Sequence, residues 1–572
     1  MRIRVGTLDD LIERGHLLAK AGGHGVCVFW DGERAWALDD RCPHLGFPLH
    51  RGSVADGLVT CHWHHARFDL ATGGTLDPFA DDARAFPVEV DEGEVFLVAE
   101  AAGGGADVGG RRLREGLAQG LTLVTAKSVL GLLEVGTDPS DIVRIGVEFG
   151  TANRRDGWGS GLTVLVAMAN LLPWLDTGDR AAALVHGLAF VSRDTRNHPP
   201  AFTLSPLGDA AATLPPERLA SWYRRFIETR SGSAAERSLV TAVANGTPPA
   251  AVADMMLGAA TDHVFLDGGH TLDFTNKAFE ALELLGWELA AEVLPTLVDQ
   301  TAGANRAEES GSWRHPHDLA SLVRHTEQRL LAGLAAGGTG IDDPAGVSAL
   351  GWRLLADEPA EVTDALVEAA DAGATPEQLG RALALAAGLR ITRFHTQNDF
   401  GDWDTVHHGF TAANALHRAL RRHPSAEATR GVVHGALKVY LDRFLNVPSA
   451  RPPTADDGNL ADLQACWDGQ GGVDRAGGIA YGYLRAGGDP GALVAALAHC
   501  LLAEDAAFHW YQTVEAAVTQ FQAWPAGSEE GALILAGTVR FLAAHTPTRR
   551  ELPHVVRIAA RLRRGDDLFE ED

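Results

Sequence analysis

Two short segments limit what this chain can fold into more than any other feature: RCPHLGFPLH at 41–50 and TCHWHHARFDLATGG at 60–74. The first carries Cys42 and His44, the second Cys61 and His64, and sixteen residues separate His44 from Cys61. The spacing is CxH, then CxxH. One thiolate and one imidazole therefore occur in each of two segments, and His62 and His65 are left outside the pattern.

Two loops that each offer one sulfur and one imidazole can hold a 2Fe-2S cluster asymmetrically, with both cysteines on one iron and both histidines on the other. Neutral imidazoles in place of thiolates make the cluster less negative and easier to reduce. Zinc is the chemical competitor, because Cys2His2 is also a zinc set. Zinc fingers, however, group their cysteines within two to four residues and place the histidines on a helix, whereas each segment here mixes the two.

The segments resemble the Rieske family over roughly residues 1–100. The resemblance extends past Cys42, His44, Cys61 and His64 to Gly46 and Pro48 in CPHLGxPL and to Trp63, Phe68, Asp69 and Gly73 in CHWHxxxFDxxTG. It implies a Rieske-type [2Fe-2S] cofactor, with Cys42 and Cys61 on one iron and His44 and His64 on the other. It also implies an electron-donating reductase or ferredoxin as partner. High-potential members carry a further cysteine in each loop, joined as a disulfide, where this chain has Phe47 and Trp63. That departure aligns the domain with ferredoxin-like and oxygenase-type members of lower potential.

The surrounding sequence predicts a small all-β sandwich with the two loops at one end. VCVFWDGERAWALDD reads as a hairpin turning at Asp31 and Gly32, and FPVEVDEGEVFLVAE as another turning at Asp91 to Gly93. Cys27, inside the first strand, is expected to be a small buried apolar residue. AAGGGADVGG at 101–110 reads as a flexible linker. Beyond it, Ala and Leu at helical spacing predict a predominantly α-helical region over 111–572, with a break at 335–346 that suggests two lobes, 111–335 and 345–572. The fold class is thus multidomain: a β domain followed by a large helical region.

The helical region holds seventeen of the 24 histidines. In DHVFLDGGHTLDFTNKAFEALELLGWE, His270, Asp273 and Lys277 share one helical stripe. In RFHTQNDFGDWDTVHHGFTAANALHRAL, Asp404, His407 and His408 fall within one turn, and His186, His434 and His509 lie in other apolar helical patterns. Any one of these could be a satisfied core histidine. Together they suggest a second metal site, since helical bundles build such sites by projecting histidines and carboxylates inward, and imidazole suits iron. The residues expected to carry it are His270, His407 and His434, with His186, His408 and Asp404 behind them.

The catalytic iron motif of ordinary Rieske oxygenases, Asp-x2-His-x4-His, begins at Asp404 and His407 but meets Ala412 where the second histidine belongs. That catalytic domain is therefore not expected. The helical region is faintly similar instead to questin oxidase-like proteins, which are linked to oxidative ring cleavage of aromatic polyketides. This similarity rests on TVHHGFTAANAL and LLAEDAAFHWYQTVEAA and would cover much of residues 140–545.

The formal charge of −26 argues against nucleic-acid or anionic-membrane partners. MRIRVGTLDD has no apolar leader, and Pro173 interrupts the best apolar run, GLTVLVAMANLLPWL, so a cytoplasmic location is expected. Two functional expectations follow. One is an oxidoreductase whose cluster feeds electrons to a metal-dependent oxygenase acting with dioxygen on a small organic substrate. The other is a ferredoxin-like carrier or redox sensor whose helical region is a non-catalytic docking scaffold.

Overall fold

Alternating apolar and polar residues near the N-terminus become short antiparallel strands. The computed structural model describes residues 2–21, 23–98, 106–154, 157–208, 212–469, 471–566 and 568. The chain divides into one unit of Met1–Ile145 with Leu552–Asp572 and a second of Gly146–Glu551.

In the first unit, β1 (Arg2–Thr7) pairs with β10 (Glu94–Val98), which pairs with β9 (Val88–Asp91). A second sheet has the order β2 (His16–Ala21), β3 (His24–Trp30), β4 (Ala35–Asp39) and β8 (Ala85–Phe86). Both expected hairpins are present. Asp31 accepts from the backbone of Glu33 and Arg34, and positive φ at Glu92 and Gly93 supplies the other turn. Strand β3 divides two cores by its period of two: Cys27 and Phe29 face one, Val26 and Val28 the other. A third sheet, β5 (Ser53–Ala55), β6 (Leu58–Thr60) and β7 (Arg67–Asp69), carries the second cysteine segment between β6 and β7.

This unit also includes helices. Residues 101–105 of the expected linker lie outside the described residues, but from Ala106 the chain is helical, in Ala106–Gln119 and then Thr122–Glu134. Glycine disfavours a helix by about 1 kcal/mol per residue, yet burial of Leu113 and Leu117 offsets this. Gly109 has its own reason: a Cβ there would stand 2.8 Å from the Leu132 side chain, which would have to shift to admit a larger residue. The C-terminal helix joins through Arg41, which donates to the Leu562 carbonyl at 2.8 Å, and through the Arg563–Glu134 ion pair.

The second unit is helical, with a core of Leu, Ala and Val. The stretch 336–344 links the helices Leu319–Ala335 and Ala345–Arg353, which belong to this same unit. At its centre the buried Lys277 ammonium donates to Glu280 at 2.7 Å and Glu515 at 2.6 Å. Asn170 donates to both carboxylates, and Arg418 to Glu280 at 3.1 Å. The network thereby ties together Ser160–Leu171, His270–Leu285, Phe400–Arg422 and Phe508–Phe521.

Lys277→Met strands two facing buried carboxylates and should destabilise this unit by about 3–5 kcal/mol, read as a lower denaturation midpoint. Burial alone would raise the Glu280 pKa, but Lys277 and Arg418 overcome it and hold the carboxyl below its ordinary 4.5. Its contribution should be complete above about pH 4.5 and fade as pH falls below that value.

Candidate metal centres

The two cysteine segments fold into loops of matching design. Cys42 N–H donates to the Phe47 carbonyl and Gly46 N–H to Cys42; Cys61 N–H donates to Ala66 and His65 N–H to Cys61. The fourth residue after each cysteine turns left-handed, Gly46 at φ +88° and His65 at φ +61°. His65 thus stands where the other loop has glycine. It closes a turn. Gly73 has a comparable role nearby: at φ +74° its absent Cβ would lie 1.8 Å from the Ala83 carbonyl.

The cysteines lie inside and the histidines outside. Cys42 and Cys61 are buried, His44 is half-buried and His64 exposed, with the imidazole rings 4.8 Å apart. The Cys42 thiol donates to the Cys61 sulfur, which lowers the Cys61 pKa and raises that of Cys42. Backbone N–H groups of His44 and Leu45 face the first sulfur, and those of Trp63 and His64 the second. Burial, assisted by His64, lowers His44 to about 4, so its ring is neutral at physiological pH. Two sulfurs and two imidazoles converging from two loops fit a 2Fe-2S cluster, and N–H groups aimed at sulfur are a known control on its potential. Phe79 lies 5.0 Å from the His44 ring and Trp63 4.6 Å from that of His64.

In the second unit, three imidazoles meet. His270 begins the helix His270–Leu285, His408 sits within Phe400–Arg422, and His509 follows the first residue of Phe508–Phe521. One ligand atom from each lies within 4.8 Å of the others. His408 Nε2 and His509 Nε2 are 3.0 Å apart. Two nitrogens each about 2.1 Å from one metal ion and at right angles to each other would be about 3.0 Å apart, so this pair fits a shared cation. Burial, with the neighbouring imidazoles, lowers His408 to about 2 and His509 to about 4. Burial lowers His270 as well, but Asp273, hydrogen-bonded to its Nδ1 at 3.2 Å, overcomes this and raises it. Asp273 also accepts from Thr411 at 3.0 Å. A carboxylate behind a histidine is the usual way to fix a ligating ring.

The chain reverses sharply just before this site. Phe265, Asp267, Gly268 and Gly269 all have positive φ, and Gly269, at φ +101°, leaves only 2.9 Å from a would-be Cβ to Ala412 and Phe265. Phe274 stacks on His270 at 5.1 Å, and Phe508 lies 4.7 Å from His509. Phe274 also lines a cavity of about 450 Å³ with Arg154, Arg193, His198 and Gln300.

The Rieske [2Fe-2S] domain model matches residues 2–87. The anthranilate 1,2-dioxygenase ferredoxin subunit of Burkholderia cepacia is 30% identical over 92 residues, covering 16% of this chain and 85% of that protein. The p-cumate 2,3-dioxygenase system ferredoxin component of Pseudomonas putida is 34% identical over 92 residues, covering 16% and 78%. The chain belongs to the Rieske family. Human apoptosis-inducing factor 3 is 34% identical over 88 residues, but the match spans 15% of this chain and only 14% of that relative. The Rieske domain here is a ferredoxin-type electron carrier.

Of the histidines singled out in the helical region, His270 and His408 come together, and His509 completes the group. The other two leading candidates lie elsewhere. His407 is buried with its Nδ1 3.0 Å from Thr513 Oγ1 and its ring 4.0 Å from Phe541. His434 Nε2 is 2.8 Å from Glu327, and His186 Nδ1 is 2.7 Å from the Tyr511 hydroxyl. Adjacent helical residues point about 100° apart, so His407 and His408 cannot share a target. Asp404 precedes His408 by one turn and is half-buried, which raises its pKa.

His65→Gly should leave the Rieske domain's visible absorbance per chain unchanged, because glycine adopts φ +61° freely. His65→Val should lower its thermal stability by about 1–3 kcal/mol.

Proposed function

We propose that this chain is an oxidoreductase of oxygenase type, in which the Rieske domain feeds single electrons to a metal ion, iron, held by His270, His408 and His509. In this reading Cys42 and Cys61 hold the inner iron of the [2Fe-2S] cluster and His44 and His64 the outer one. A reductase or ferredoxin is the electron donor, and dioxygen and a small organic substrate are the reactants. When bound, the cluster supplies one electron at a time.

The convergence of three imidazoles from three helices carries the proposal. Burial keeps His408 and His509 unprotonated, Asp273 fixes the His270 ring, and Phe274 and Phe508 pack against the His270 and His509 rings. The cavity beside Phe274 falls within the ordinary size range for small-molecule sites. The faint sequence resemblance of the helical region to questin oxidase-like proteins is what suggests an aromatic compound as that substrate. No helix among the described residues is long and apolar enough to cross a membrane.

Metal analysis of the anaerobically purified full-length protein tests this. The expected content is about three irons per chain, two of them in the cluster. His408→Ala and His509→Ala should each lose the third iron while keeping the Rieske spectrum, and His434→Ala should keep all three. Iron content that is the same in the parent and in both triad variants would contradict the metal site and favour a helical region that serves as a docking scaffold.

A further inference from the structure

Within the first unit, one lysine reaches the cluster loop from outside the β domain. Lys127, on the helix Thr122–Glu134, is 5% exposed and donates to the Pro43 carbonyl at 2.8 Å. Pro43 lies between Cys42 and His44. The ammonium also pairs with Asp81. Arg112, on the preceding helix, closes the arrangement by donating to the Ala80 carbonyl at 2.6 Å and to Asp81 at 3.3 Å. The segment so clamped includes Phe79, the ring that rests on His44.

For stability alone, an apolar side chain of similar volume generally serves a buried position at least as well as an ion pair. Unlike an apolar side chain, the ammonium supplies a donor to the loop and a positive charge beside it.

We propose that Lys127 is a positioning residue that sets the reduction potential of the Rieske centre, by fixing the Cys42–His44 loop and placing a buried positive charge beside that loop. This rests on the cluster assignment given above. Reduction adds one electron, from a reductase or ferredoxin, and one negative charge to the cluster, and no bond is made or broken. A nearby cation favours the reduced form, and a nearby anion opposes it.

The test is an anaerobic redox titration of the full-length protein at fixed pH, with mediators and dithionite, following the paramagnetic signal of the reduced cluster. Lys127→Met should lower the reduced-to-oxidised ratio at a set potential about tenfold, equal to a midpoint about 59 mV lower for one electron. Lys127→Arg should stay within about twofold of the parent, and Asp81→Asn should move the midpoint upward. An intact signal with an unmoved midpoint in Lys127→Met overturns the proposal, as does an equal shift in Lys127→Arg. If Lys127→Met fails to assemble a cluster, Asp81→Asn decides, and an unmoved midpoint there is equally fatal. Absence of any Rieske signal in the parent protein refutes the cluster assignment instead.

Discussion

A polar group taken out of water must be paired or neutral, and each distinctive feature of this chain follows from which solution is used. Lys277 and Lys127 are paired: the first lies between two carboxylates, the second between Asp81 and a loop carbonyl. His44, His408 and His509 are neutral instead, their proton affinity reduced by burial. A neutral imidazole keeps a lone pair. The same desolvation that makes a lysine a cross-link therefore makes a histidine a candidate ligand.

The paired groups also hold the neutral ones in place. The Lys277 network joins the helices that bear His270, His408 and His509, so the three rings approach one another on elements already fixed to each other. Asp273 adds a local restraint by bonding both His270 and Thr411, and thus spans two of the three helices. In the first unit, Lys127 and Arg112 similarly attach the loops around His44 to two helices.

The cluster loops were legible in the sequence because their information is local. Each loop closes within six residues, from Cys42 to Phe47 and from Cys61 to Ala66, and the β hairpins around them announce their turns with Asp and Gly. The second site was legible only in part. His270 stood out through its i, i+3 spacing to Asp273, and the pair His407–His408 through its helix, but which of the two faces His270 depends on helix rotation against neighbours far away in sequence. His509 had no local sign to rank it above His434 or His186; its role comes from a partner 101 residues away. The helix beginning at Ala106 was hidden because three glycines precede it and three interrupt it, and the packing that rescues it comes from Leu132 and its neighbours.

The central claim is that one polypeptide holds two redox centres, and counting electrons tests it most directly. In an anaerobic reductive titration the full-length protein should take up two electrons per chain, one at the Rieske cluster and one at the metal ion of the three histidines, and His408→Ala should take up one. Uptake of a single electron by the unaltered protein, with the Rieske signal fully developed, would contradict the account.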